Sequence, residues 1–566
     1  MRGTTVVFDG DLYNGLEIAQ QLSINPQPTA TLIALAYERW GVDVVHRLRG
    51  LYALVLHDTG RQTTLGVRDP LGAFPLFYAE ANGSVLLSAS IDALRNEPGV
   101  SRAFNRAALA DHLSHRWPDQ QETFFESIRR VPPGYMLTAT PSSTRVARYW
   151  DPVPLDRPIE WLPDEEVQPR FDAAFEKAVC RTLDAGPTGI FLSGGLDSIS
   201  VAAMATDGAR RTNRPSPLAL SLGFSGDVGE EKEQKGVAAK LGLQQEFVDF
   251  YDAAPAHGLL AAALECTVQQ PSPLLNTWMP AYSSLARRGV VRGVRAILSG
   301  AGGDEWLSAS PFIGADMLRS GNAVGLARLI GAWRRSYNLT LGYSAQILLW
   351  SFGARPLASA AMNAIAPGAW RVSRVNRGIA GTRPWVAGDA ALRRELDERV
   401  AQYLPNPNPP GGFYLHDVRA SLEHPLTVLE LEEIFEHGRR LDVRFLHPYW
   451  DADVVDTMYR TRPLHLFTGG RAKSVVRRTM ANRFPGLGLE HQKKRSGTGF
   501  YARVLDREIP ALWARHRAIP ALKDLGIVDG TKAIAMADRS VESKTGTGLV
   551  SIWDLMNLDV WVQAHH

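Results

Sequence analysis

The chain has 566 residues, 45% hydrophobic and 21% charged, with a formal net charge of +3. It is too long for one core, is neither disordered nor fibrous in composition, and lacks the basic excess of a dedicated nucleic-acid binder. Its two cysteines, Cys180 and Cys266, give neither zinc spacing nor a disulfide framework, no apolar run is long enough to span a membrane, and the N-terminus shows no signal-peptide pattern, so a cytoplasmic protein is expected.

Short β-rich runs at Thr4 to Phe8, Leu51 to His57 and Thr63 to Val67, one helix at Thr29 to Trp40, and turn signals at Asp9-Gly10 and Asn82-Gly83 predict a sheet-rich α+β layer domain over residues 1–150. Residues 151–169 hold five prolines and a cluster of acids and read as a linker, so a second domain is expected over 151–566. The stripe Phe171, Ala174, Phe175, Ala178 then marks an amphipathic helix and makes Cys180 a core thiol rather than a nucleophile. Strands at Leu218 to Leu222, Gln245 to Phe250 and Arg295 to Leu298 alternate with helices such as Glu231 to Leu241. That pattern predicts a doubly wound parallel sheet with its ligand at the strand carboxyl ends. Beyond Glu305 the strands are expected to stop, giving a helical extension interrupted at residues 405–412. Its Trp333, Trp350, Trp370 and Trp385 are candidates to line a broad pocket.

Two motifs sit at such strand ends. Ser193-Gly-Gly-Leu-Asp-Ser198 follows the apolar run Gly189 to Leu192 and precedes a helix. Gly194 and Gly195 let backbone N–H groups approach an anion, the helix N-terminus favours negative charge, and Ser193 and Ser198 add hydroxyls. Asp197 among these donors would repel phosphate unless a divalent cation intervened, so Mg²⁺ and a nucleotide are implied together. No G-x-x-x-x-G-K-[ST] sequence is present, which excludes a P-loop. Ser299-Gly-Ala-Gly-Gly-Asp-Glu305 repeats the arrangement downstream, and its Asp304 is a candidate to share one Mg²⁺ with Asp197. Two further segments follow. One is Arg440 to Pro448; the other is Gly470 to Lys473 with the basic, glycine-rich stretch His491 to Phe500, where Lys493, Lys494 and Arg495 could clamp pyrophosphate.

In order and separation these segments resemble the asparagine synthetase family of ATP pyrophosphatases. The likeness covers Ser193–Ser198, Ser299–Glu305, Leu441–Pro448 and Gln492–Phe500, and extends upstream to Asp9–Asn14, Leu48–Leu54 and Val67–Gly72. It implies an N-terminal αββα layer domain of the Ntn glutaminase type and a synthetase domain that adenylates a carboxylate with Mg-ATP, releases pyrophosphate and captures the acyl group with an amine. By carry-over, Ser193, Gly194, Gly195, Leu196, Asp197, Ser198, Leu222, Gly300 and Gly302 contact ATP. Asp197 and Asp304 hold Mg²⁺, and Lys473 and Lys493 act on pyrophosphate or the transition state.

The sequence also departs from the family. Residue 2 is arginine where a catalytic cysteine is expected, Asp9 replaces an asparagine, and Gln27-Pro28-Thr29 replaces the glutamine-binding turn. The N-terminal domain is therefore expected to be degenerate or truncated and the ligase not to hydrolyse glutamine. Ala301 replaces the glutamate of asparagine synthetases, which directs the resemblance toward β-lactam synthetases and, foremost, lasso-peptide macrolactam cyclases. The expected activity is macrolactam formation on a precursor peptide, with a leader-peptide-binding protein or protease as further partner and no nucleic acid. The alternatives are an asparagine synthetase using ammonia and a β-lactam synthetase-like cyclase. A tRNA-modifying pyrophosphatase would require a strongly basic domain or thiol chemistry, and neither is visible.

Overall fold

The computed structural model describes residues 3–224, 230–489 and 497–566. The N-terminal strands are β1 (Thr4–Leu12), β2 (Gly50–Asp58), β3 (Thr63–Arg68), β4 (Phe77–Ala81), β5 (Ser84–Ser88), β6 (Ile128–Arg130), β7 (Tyr135–Thr140) and β8 (Ser143–Arg148). They form an antiparallel sheet in the order β1-β2-β3-β7-β8 and a smaller one in the order β5-β4-β6. Alternation along β2 explains the layering. Tyr52, Leu54 and Leu56 pack with Ile33 and Tyr37 beneath helices α1 (Gly15–Gln21) and α2 (Thr29–Trp40), while Ala53 and Val55 face Leu76 and Tyr78 of the second sheet. Helices α3 (Ile91–Arg95) and α4 (Arg106–Leu113) cover the far side through Ile91, Leu94 and Leu109. This is the αββα layer arrangement that the resemblance implies.

The second domain begins with α5 (Asp164–Leu183), then β9 (Thr188–Phe191), α6 (Leu196–Arg211), β10 (Leu218–Gly223), α7 (Glu231–Leu241), β11 (Gln245–Asp249), β12 (Ala296–Leu298) and β13 (Arg444–Leu446). The order β11-β10-β9-β12-β13, parallel throughout, is doubly wound. Its direction reverses between β9 and β12, the point where such sheets hold their ligand. One face buries Ala219, Ala296 and Leu298 against Phe175 and Ile199; the other buries Leu220 and Ile297 against Leu285 and Ala286. Helices dominate beyond residue 303, and the final helix, Gly546–His565, brings the fully buried Trp561 against Phe104, Phe124 and Phe125 of the N-terminal domain, with ring centroids 5.6 to 5.8 Å apart.

Four expectations are corrected. Helix α5 starts at Asp164 inside the expected linker, with Pro169 within it. Strands do not stop at Glu305, because β13 adds an edge to the sheet beside β12. The four tryptophans do not share one pocket: Trp385 lies in the core, Trp333 packs on Tyr337 and Phe467, and Trp350 and Trp370 line a cavity of the helical extension. Cys180 is partly exposed at the edge of its helix rather than fully buried. Among the described residues no helix is long and apolar enough to cross a membrane.

Candidate active site

Both glycine-rich loops emerge at the reversal point, one after β9 and the other after β12. Their approach demands glycine. A Cβ at Gly300 would lie 2.6 Å from the Ser198 backbone nitrogen, and one at Gly303 would lie 2.4 Å from Cγ of Asp197. Gly302, at φ +95°, opens the short helix Gly303–Trp306.

Within the first loop the donors are satisfied internally. The Ser193 N–H donates to Ser198 Oγ at 3.2 Å, the Gly195 N–H to Ser193 Oγ at 3.1 Å, and the Gly194 N–H to a carboxylate oxygen of Glu230 at 2.7 Å. The Glu230 oxygen thus takes the kind of position an anionic phosphate oxygen would occupy. Leu196 and Asp197 form the first turn of α6, so the helix dipole points into the loop. The Leu222 side chain is buried, and its carbonyl accepts from Gln234 Nε2 at 3.2 Å, so this residue stands in the core at the strand end.

Asp197 and Asp304 meet at Lys473. Its Nζ donates to Asp197 Oδ2 at 2.5 Å and to Asp304 Oδ1 at 2.8 Å, so the two oxygens lie within the sum of those distances, 5.3 Å, of each other. Burial disfavours the ammonium, but the two carboxylates outweigh it and raise its pKa above the ordinary lysine value. Lys473 adopts φ +60°, an uncommon conformation for a lysine, at the start of the helix Ser474–Arg483. The pair of hard oxygen donors suits Mg²⁺. Among the described residues no set of three or more His, Cys, Asp and Glu could hold a metal, so the remaining ligands would come from the nucleotide and water. Lys493, the other expected cation, lies outside the described residues.

Sequence reasoning gave no role to His447, although it fell inside a motif already singled out. Its Nδ1 is 2.7 Å from Ser299 Oγ, which also accepts from the Ala301 N–H at 3.1 Å, and its buried Nε2 has no partner among the described residues. Burial lowers the His447 pKa to about 4, keeping the ring neutral. Tyr449, stacked on Phe175 at 4.6 Å, bonds Ser200 at 2.6 Å and ties α6 to the segment after β13. Ala301 presents only a methyl group between the two glycines.

His447 also borders a cavity of about 600 Å³ between the domains, lined by Asp9, Gly10 and Phe74 on one side and β13 on the other. The upstream motifs build this junction. Arg68 and Arg130 both bind the buried Glu432, at 2.9 Å and 2.6 Å. Asp69 accepts from the N–H groups of Leu71, Gly72, Ala73 and Phe74, Asp11 pairs with Arg444, and the Arg181 guanidinium lies 4.8 Å from the centre of the Tyr13 ring.

A sheet of this order, with two acid-bearing glycine loops at its reversal point and a lysine between them, brings anion-binding donors and hard oxygen ligands to one place. Residues 170–563 match the family described as asparagine synthase, and residues 1–150 match a glutamine amidotransferase domain. The chain belongs to the asparagine synthetase family. It is similar to the amidase chyE of Penicillium rubens, 28% identical over 55% of this chain and 48% of that protein. Bacillus subtilis glutamine-hydrolyzing asparagine synthetases 3 and 1 are 29% and 24% identical over 36% and 42% of this chain and 33% and 38% of their own lengths. The chain thus spans no more than about half the length of these relatives. Among solved structures, glutamine phosphoribosylpyrophosphate amidotransferase from B. subtilis matches at 12% identity over 52% of this chain and 55% of its own, with a TM-score of 0.19, too low to carry an argument.

The amidotransferase match corrects one expectation. Residues 3–150 form a well-packed layer domain, residues 1–150 match a glutamine amidotransferase domain, and the Bacillus relatives are glutamine-hydrolyzing by name. These findings contradict the expectation of a ligase that does not hydrolyse glutamine. The reading of a degenerate, non-hydrolysing enzyme rested on Arg2, Asp9 and Thr29 and on where the sequence starts, and it does not stand.

Proposed function

We propose that the protein is an AMP-forming amide ligase acting on a peptide carboxylate. In this reading a carboxylate oxygen attacks the α-phosphorus of ATP and pyrophosphate leaves. An amine then attacks the acyl-adenylate carbonyl, AMP leaves and an amide remains. The observation that carries it is the convergence of Asp197 and Asp304, from two different strand ends, on Lys473 Nζ. The Gly194 N–H, now held by the Glu230 carboxylate, and the Ser193 and Ser198 hydroxyls would turn to the phosphates, and Lys473 neutralises charge on the departing pyrophosphate. Mg²⁺ held by Asp197 and Asp304 would supply further charge neutralisation on the phosphates. His447, neutral and bonded through Nδ1 to Ser299 Oγ, fixes the head of the second loop.

Ring closure by an amine of the same peptide, as in macrolactam formation, is supported by Ala301 and by the large cavities of the helical extension. The amidotransferase match of residues 1–150 favours a second reading, in which glutamine supplies the nitrogen. Incubation with Mg-ATP and leaderless peptides bearing an internal Asp or Glu separates them. Loss of one water from the peptide without added glutamine supports ring closure. Amidation that depends on glutamine supports the second reading, and no ATP-dependent product with either donor overturns the proposal.

A further inference from the structure

The helical extension encloses a cavity of about 710 Å³ between the helices Arg355–Ile365 and Pro367–Ala380 and the proline-rich 405–412 segment. This is the size of a cleft that binds a ligand rather than a packing flaw. Arg355, Arg374 and Arg377 line it, and none of their side chains makes a hydrogen bond or ion pair among the described residues. Arginines nearby are engaged: Arg319 with Asp316, Arg399 with Asp111 and Glu122, and Arg419 with Asp151 and Glu423. Asp417, the acid lining the same cavity, accepts from Ser310 Oγ at 2.6 Å, so it does not pair with the three cations.

The apolar part of the lining is equally unspent. Trp350 is 59% exposed and Met362 54% exposed, beside Phe352 and Trp370. Large apolar side chains left in water together mark a contact surface. Arg374 and Arg377 are three residues apart on one helix and so share a face, while Arg355 comes from the neighbouring helix.

We propose that this cavity binds an acidic peptide segment, with Arg355, Arg374 and Arg377 taking its carboxylates and Trp350 and Met362 its apolar side chains. Planar guanidinium groups recognise carboxylates through paired hydrogen bonds, and alternating acid and apolar side chains match a wall built of arginine, tryptophan and proline. Phe312, on the cavity wall, lies only eight residues after Asp304, so the site is continuous in chain with the nucleotide loops. The inference rests on the peptide-ligase reading for its purpose. Its test uses no ATP, so the two can fail separately.

The test is fluorescence anisotropy of the full chain with a fluorescein-labelled peptide of repeating Glu-Leu-Phe, its Lys-Leu-Phe counterpart, and an unlabelled oligothymidylate of equal charge as competitor. Saturable binding of the acidic peptide alone is expected, weakened roughly 10- to 100-fold by Arg374→Glu with Arg377→Glu and by Trp350→Ala, with unchanged thermal midpoints. Arg515→Glu, on the exposed face of the helix Thr498–His516 away from the cavity, controls for general charge. No binding of the acidic peptide, equal binding of the basic one, equal weakening by Arg515→Glu, or undiminished binding by the cavity variants would overturn the proposal. Stronger binding of the oligonucleotide would reassign the cavity to nucleic acid.

Discussion

Replacing Gly303 with alanine adds one methyl group where the two nucleotide loops meet. The new Cβ would lie 2.4 Å from Cγ, 2.6 Å from Oδ1 and 2.9 Å from Cβ of Asp197. Carbon contacts are comfortable only from about 3.5 Å, so one side must move by roughly 1 Å. Neither yields freely. Trp306, in the same short helix as Gly303, is buried and packs edge-on against Trp450 at 4.6 Å, and the first turn of α6 is tied through Ser200 to Tyr449. The Asp197 carboxylate is therefore displaced, and its contact with Lys473 goes with it. Misplacing a positioning group by about 1 Å costs on the order of 10²-fold in rate. The assay is ATP-dependent pyrophosphate release by the wild type, Gly303→Ala and the control Gly486→Ala, where an added Cβ meets nothing within 4 Å. The control should match the wild type while Gly303→Ala falls about 10²-fold. Activity of Gly303→Ala within about twofold of wild type would refute the reasoning.

Glu432→Gln leaves Arg68 and Arg130 buried without their counter-charge and should destabilise the domain junction by about 3–5 kcal/mol. Urea denaturation reads this as an earlier or split transition, and a loss below about 1 kcal/mol would contradict it. Burial holds His112, His437 and His447 at about 4, well below the ordinary histidine value. The unfolded chain takes up these protons first, so each neutral ring forfeits up to about 3 kcal/mol of stability as pH falls from 6.5 toward 4. Glu433, raised to about 7 by burial, and Asp69, Asp111, Glu305, Asp417, Glu430, Asp451, Asp456 and Asp559, also raised by burial, work in the opposite sense, so the rings are read individually from their NMR titrations. A ring that titrates near 6.5 in the folded protein would show that it is not held neutral. His447→Phe removes the bond that fixes Ser299 at the head of the second loop and should slow pyrophosphate release roughly 10- to 100-fold through misplacement of that loop. Unchanged pyrophosphate release would show that this bond does not position the loop.

The two glycine-rich loops were legible as strand-end loops because their pattern is local: glycines, an acid and hydroxyls at the end of an apolar run need no knowledge of distant contacts. That Asp197 and Asp304 come together followed from the doubly wound order. Resemblance gave Lys473 a role on pyrophosphate but not its place between the two acids, since nothing in Gly470 to Lys473 announces a left-handed lysine. Strand β13 was missed because three residues on a sheet edge carry no period to read. The start of α5 was hidden because Asp164, Glu165 and Glu166 look like a linker but match the positive end of the helix dipole, and Pro169 forfeits one hydrogen bond near that end. His447 could not be singled out because its unused Nε2 is a property of packing. The Val67 to Gly72 motif proved to build the domain junction, with Arg68 reaching Glu432 across 364 residues of chain.

The most direct test of the central claim is the identity of the nucleotide products. Wild-type protein and Asp197→Ala are incubated with Mg-ATP and a panel of peptide carboxylates, with and without glutamine, and the nucleotides are separated. AMP and pyrophosphate in equal amounts with the wild type, and neither with Asp197→Ala, is the predicted result. ADP and phosphate, or unchanged turnover by Asp197→Ala, would contradict it.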